Sequence, residues 1–257
     1  MACLFKNCHS AAVMMMNPTL HINSFSFGLL DAIALGWFLT AWFGYSAYAH
    51  ASRHRTANLI SLTAKLRSQW MGRVALRQYR IVDASLIGNL MRSITFFANT
   101  SIFILFGLIT ILGYRDEALN VIRAFPFADV GSEAMWELKI FLMAVMFAFA
   151  FFKYTWSLRL YNYASIFVGA APEPEYFHKH PKKVEAYAKQ GGHLIANAGR
   201  HFNIGLRASY FGLAVLSWFL HPIMFMVAIA WVVTEIHRRE FRSRAVRDLK
   251  AVVELMG

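Results

Sequence analysis

The sequence predicts an all-α fold, a polytopic bundle of transmembrane helices with further helices at the cytoplasmic membrane interface. Three observations carry that expectation. Of 257 residues, 58% are hydrophobic and 16% charged, where soluble domains carry about a quarter charged residues, so much of the surface needs a solvent other than water. Four apolar stretches approach the ~20 residues that cross a ~30 Å hydrocarbon layer. The connections between them alternate in charge, as they do when Lys and Arg are retained on the cytoplasmic side.

Residues 1–24 are expected to be poorly ordered. Lys6 precedes a short, weakly apolar run that makes no convincing signal peptide, and Met14, Met15 and Met16 leave the true start open. The only cysteines, Cys3 and Cys8, lie there, so no disulfide framework or thiolate metal cage can form within the fold. Residues 25–240 read as one transmembrane domain and 241–257 as a basic cytoplasmic tail.

The first span is expected at Phe25–Tyr48, with Trp37 too near its middle for an interfacial belt and better placed for internal contacts. Leu59–Ile87 then sets Leu62, Leu66, Trp70, Val74 and Ile81 near helical spacing among basic residues, the pattern of an amphipathic helix lying on the membrane. The second span is Ile94–Gly113 and the third Ile140–Leu158. Ala171-Pro172-Glu173-Pro174 punctuates the next connection, a helical pattern resumes at Lys182–Gln190, and Gly191-Gly192 reads as a hinge. The last stretch, Ala208–Ile236, is long and interrupted by Leu220, His221 and Pro222.

Orientation follows from charge. Residues 49–93 carry eight Lys and Arg against Asp83 alone, 114–139 carry three against five acids, and 159–207 carry seven against three. This places the N-terminus outside. A simple fourth span would export the tail with Arg238, Arg239, Arg242, Arg244, Arg247 and Lys250. A proline loses a backbone donor and ends or kinks a helix, so a hairpin at Pro222 would return the tail to the cytoplasm; a single kinked helix is the other option.

Three segments carry a family likeness: Asn89-Leu-Met-Arg92-Ser-Ile with Ala98-Asn-Thr-Ser101, Ser157-Leu-Arg159-Leu-Tyr161 with Ala164 and Gly169, and Gly205-Leu-Arg207-Ala-Ser-Tyr210-Phe with Trp218-Phe-Leu-His221-Pro222. The chain resembles the membrane proteins of domain of unknown function 599 over about residues 25–240. His221 stands where that family is expected to have glycine. The resemblance implies a membrane bundle and, since the family has no assigned activity, no chemistry.

Charge inside a span costs about 2.5–3.5 kcal/mol on insertion scales, which makes Asp31 and Lys153 candidates. The simpler account of Lys153 is that it snorkels to the cytoplasmic face, and of Asp31 that a carboxylate suits a hydrated helix start. Arg92, Thr95 and Asn99 share a helical face and form either a polar track or, as is commoner, hydrogen-bonding contacts between spans. His50 with His54, and His178 with His180, invite a metal reading, but no carboxylate completes a ligand set. His221 sits at the presumed turn. No nucleophile elbow, phosphate-cradling loop or dinucleotide fingerprint is present.

The sequence therefore points to a non-enzymatic protein of the inner membrane with no cofactor, metal or catalytic set. Its net charge of +12 is explained by anionic lipid rather than nucleic acid. Arg92, Arg159 and Arg207, all at cytoplasmic span boundaries, are the candidates for a shared headgroup site; simple topology marking explains them as well. A membrane-protein partner or homo-oligomer is the other expected contact. The alternative is a small transporter or channel with a path near Asp31, Asn99 and Lys153, and a haem or metal subunit is a third option.

Overall fold

The computed structural model describes residues 28–52, 58–123 and 132–255. The expectations about residues 1–24, both cysteines and His54 lie outside the described residues. Every regular element among them is helical: α1 (Leu29–Ala51), α2 (Leu59–Ala75), α3 (Ile81–Gly113), α4 (Arg115–Arg123), α5 (Glu133–Gly169), α6 (Pro174–Lys179), α7 (Pro181–Val215), a 3-10 turn (Leu216–Phe219), α8 (Pro222–Phe241) and α9 (Arg244–Leu255). Of these, α1, α3 and α5 are long and apolar enough to cross a membrane. Their outward faces hold large apolar side chains, with Phe103 72% and Phe152 67% exposed, a surface suited to lipid rather than water.

The fourth apolar stretch is broken where the proline stands. His221 is extended, its Nδ1 accepts the Ile223 N–H at 3.2 Å, and Pro222 takes the first helical position of α8. A proline is favoured there because the first helical N–H has no intrahelical acceptor. The chain then doubles back, so that Arg207 meets Glu240 at 2.9 Å across 33 residues. A continuous helix would hold them roughly 50 Å apart at ~1.5 Å per residue. With φ at −162°, the turn needs no glycine at His221.

Contacts along the helices define two ends. At the proline end, Asp31 of α1 and Lys139 of α5 meet Trp218, and Trp136 lies edge-on to Phe219 at 5.0 Å. At the other end, Tyr45 of α1 meets Glu240, and Arg80, just before α3, donates to the carbonyls of Ala171 and Pro172 beyond α5. Thus α1, α5 and α8 run away from the proline end, while α3 and α7 run towards it. The Trp37 indole donates to the Met226 carbonyl at 3.2 Å and ties α1 to α8.

Two expectations at the end opposite the proline, here the basic end, are corrected. Leu59–Ile87 is not one helix lying on lipid: α2 stops at Ala75, α3 begins at Ile81, and Leu62, Met71, Val74 and Ala75 are buried, with α2 docked on α7 through Met71 at Gly191 and Ser68 at Gly192. Asp83 at the start of α3 is fully buried, accepting from the Trp70 indole at 2.7 Å and from Arg77 at 2.6 Å. Nor is Gly191-Gly192 a hinge, because α7 runs through it unbroken. A Cβ at Gly192 would lie 2.6 Å from the Ser68 Cα, so the glycine permits the close approach of two helices.

The core is the antiparallel pair of α5 and α7. Small residues recur every seventh position on α7, at Gly191, Ala198, Gly205 and Gly212. They face Phe167, Ser157, Tyr154 and Phe147 in turn down α5. Small side chains let helix backbones approach, which is the main source of cohesion where lipid removes the hydrophobic drive between helices. The Ser157 hydroxyl reaches the Ala198 carbonyl at 2.7 Å, a bond that needs this proximity.

Candidate functional site

Helices α1, α5 and α7, with Ile60 of α2, converge on one pocket. Helix α1 brings Trp42, Ser46 and His50 at one-turn intervals, and α5 brings Phe149 and Lys153, also one turn apart. Helix α7 contributes Arg200, Asn203, Ile204 and Arg207, the i, i+3, i+4, i+7 spacing of a single helix face. They enclose a cavity of ≈ 370 Å³ with three cations and no carboxylate in its lining. Trp42 closes one side, edge-on to Phe149 at 5.8 Å and to Phe211 at 5.1 Å. The Lys153 ammonium stands 5.0 Å over the Phe149 ring.

Arg207 is only 8% exposed. Its guanidinium lies 4.8 Å from the centre of the Tyr45 ring, and Nη2 donates to Glu240 Oε1 at 2.9 Å. The other carboxylate oxygen accepts from the Tyr45 hydroxyl at 2.8 Å. One donor, the Arg207 Nε–H, is buried with no hydrogen-bond partner among the described residues, a condition that costs about 1–3 kcal/mol. Arg207 also lines a second cavity of ≈ 190 Å³, shared with Tyr210, Arg239 and Glu240, and so stands between the two. Chemically, the first pocket offers fixed cations beside aromatic and aliphatic surface, a combination that fits an acidic group carried on an apolar chain.

The structure brings Lys153 and Arg207 together here and leaves Arg92 and Arg159 exposed on α3 and α5. Arg92 contacts the side chain of Asn89. Asp31 is at the proline end, accepting from the Trp218 indole at 2.7 Å, and Asn99 is exposed on α3; the cavity that Lys153 lines includes neither. Arg92, Thr95 and Asn99 do share an outward face. The Thr95, Thr100 and Ser101 hydroxyls return to carbonyls one turn back in α3, at 2.8–2.9 Å, which satisfies them without a neighbouring helix. His221 caps α8, His178 is exposed, and His180 Nδ1 lies 2.9 Å from the Tyr176 carbonyl. Among the described residues no three His, Cys, Asp or Glu side chains gather around a common point that could hold an ion.

Sequence reasoning missed Trp42, Tyr45, Arg200 and Glu240. A signal for Glu240 was present: it is an acid set among the arginines of a strongly basic segment, where a carboxylate is most simply explained as a partner for one of them. It also missed Lys139, counted as a loop charge but 3% exposed, with its ammonium 5.5 Å from the centre of the Trp218 ring.

Comparison with known proteins returned no matching curated protein and no matching solved structure. One family profile, described as protein of unknown function DUF599, matches residues 33–245. The match contains every residue of the pocket and Glu240, stops just inside α9, and leaves Asp31 outside. The chain belongs to the DUF599 family.

Proposed function

We propose that this chain is a multi-pass inner-membrane protein that holds an anionic lipid in the pocket between α1, α5 and α7 and performs no chemistry on it. The observation that carries the reading is Arg207: nine-tenths buried, with an unpaired Nε–H, in a cavity it shares with Lys153 and the rings of Trp42 and Phe149. An acidic headgroup supplies the acceptor, and the first methylenes of its chains suit the apolar walls. Because α1 is held chiefly by α8, the α1–α5 side is the route by which a lipid enters from the bilayer.

In this reading the basic end is cytoplasmic, the N-terminus is outside, and α7 and α8 form the hairpin that makes the last two crossings. The alternation of basic and acidic connections supports that orientation. A membrane partner or a second copy would use the outward face of α3 with Arg92, Thr95 and Asn99.

The test is native mass spectrometry of protein released from nanodiscs of phosphatidylcholine with or without phosphatidylglycerol. Wild type should retain phosphatidylglycerol selectively, and Lys153→Met should retain it about tenfold less, the scale of one charge-assisted contact. Among the described residues Lys153 makes no ion pair, so its loss strands no carboxylate there. Equal retention of both lipids by wild type and variant would sink the reading. Lipid flux in proteoliposomes abolished by Lys153→Met would move it from holding to transport.

A further inference from the structure

Arg207 faces two cavities and is gripped from only one of them. Its guanidinium carries five N–H donors in one plane, yet Glu240 engages Nη2 alone and Nε stays without an acceptor. Glu240 lines the smaller cavity and not the larger. An acidic group arriving in the larger one can pair with the guanidinium side-on through two donors, a stronger arrangement than a single contact.

We infer that Glu240 is an internal counter-anion which the lipid's acidic group displaces from Arg207, so that loading the pocket loosens the end of α8 and the helix that follows it. This rests on the lipid-holding reading above. Displacement leaves the carboxylate in acceptable surroundings, since the Tyr45 hydroxyl already donates to it and Arg239 lines the same small cavity. The movement has a short lever. Helix α9 begins at Arg244, four positions beyond Glu240, and docks against α2, with Val246 buried.

The experiment combines lipid titration with hydrogen exchange on the full chain in phosphatidylcholine nanodiscs, with phosphatidylglycerol as the probe. Binding of phosphatidylglycerol should speed amide exchange in 238–255 several-fold and leave the centre of α5 unchanged. Glu240→Gln should show the fast exchange without lipid and should bind phosphatidylglycerol about tenfold more tightly, because Arg207 is already released. If wild type binds the lipid through Lys153 but residues 238–255 keep their protection, the displacement is overturned and the pocket stands. If Lys153→Met binds as wild type does, the pocket reading itself falls. Tighter binding by Glu240→Gln without faster exchange in lipid-loaded wild type would mean simple charge repulsion and would also overturn the displacement. The wild-type exchange measurement decides the matter even if the variant does not fold.

Discussion

Asn58 closes the first turn of α2 with a reciprocal cap: its side chain accepts the Ser61 N–H at 2.8 Å, and the Ser61 hydroxyl accepts the Asn58 N–H at 3.1 Å. Removing such a cap costs about 1 kcal/mol, so Asn58→Ala should lower the thermal midpoint of detergent-purified protein. No change would mean that α2 is held by its docked face alone. Tyr187, in the part of α7 before its apolar stretch, stacks on Phe167 at 4.4 Å and donates to the Phe167 carbonyl at 3.2 Å. Burial pushes its hydroxyl up to about 12 from 10.0. A raised pKa favours the folded state fully below the unfolded value, and that contribution is lost as pH rises through the folded one. Alkaline unfolding followed by tyrosinate absorbance should therefore lose a component between about pH 10 and 12 in Tyr187→Phe. At this scale the sequence was least legible. Asp83 and Glu240 look like minor deviations from basic stretches, and only the fold reveals that Asp83 is a fully buried acceptor for Arg77 and Glu240 a half-buried one for Arg207.

The helices themselves were more legible than their ends. Apolar stretches located α1, α3 and α5, and the proline located the break before α8. The hydrophobic pattern missed what extends beyond lipid: α3 starts at Ile81 rather than Ile94, and α5 runs from Glu133 to Gly169 rather than from Ile140 to Leu158. In α5 those extra turns bury Met135, Trp136, Tyr161 and Ala164 and carry polar residues between them, while the first turns of α3 are apolar but broken by Asp83, Asn89 and Arg92. Helix α2 was misplaced for a related reason, because an apolar stripe reads the same whether lipid or α7 covers it. The glycines of α7 give a sharp test. At Gly192 a methyl meets the α2 backbone at 2.6 Å, and Gly192→Ala should destabilise by about 1–3 kcal/mol. Gly88, inside α3, has nothing within 4 Å of a Cβ; Gly88→Ala should be neutral or stabilising by up to about 1 kcal/mol. Equal midpoints for the two variants would mean that α2 and α7 are not in contact.

For the molecule as a whole, the charge pattern and the chain reversal make one prediction together. Single cysteines at Glu117 and Arg247 should label from opposite sides of the membrane, Glu117→Cys from outside intact cells and Arg247→Cys only after permeabilisation. Labelling of both from outside would require the last stretch to cross once, against the Arg207–Glu240 contact. The exposed aromatic surface explains why so much of the fold was readable: a lipid solvent leaves the spans apolar on nearly all sides, so they stand out in the sequence. The pocket was half legible for the same reason: Lys153 and Arg207 stood out as charges in or beside apolar spans, whereas Trp42 and Phe149 look like any other aromatic of a span.

The seven-residue recurrence of small side chains on α7 has a mechanical consequence. Such a period stays in register only if two helices wind left-handedly about each other, which makes α5 and α7 a two-stranded cable, stiff along its whole length. Lys153, Arg200 and Arg207 are all mounted on that cable, so their mutual spacing is set by the α5–α7 contact. Helix α1 packs chiefly on α8 instead, so a change in the pocket's width would move α1 as a door moves against its jamb, and membrane thickness or lateral pressure would act through that door.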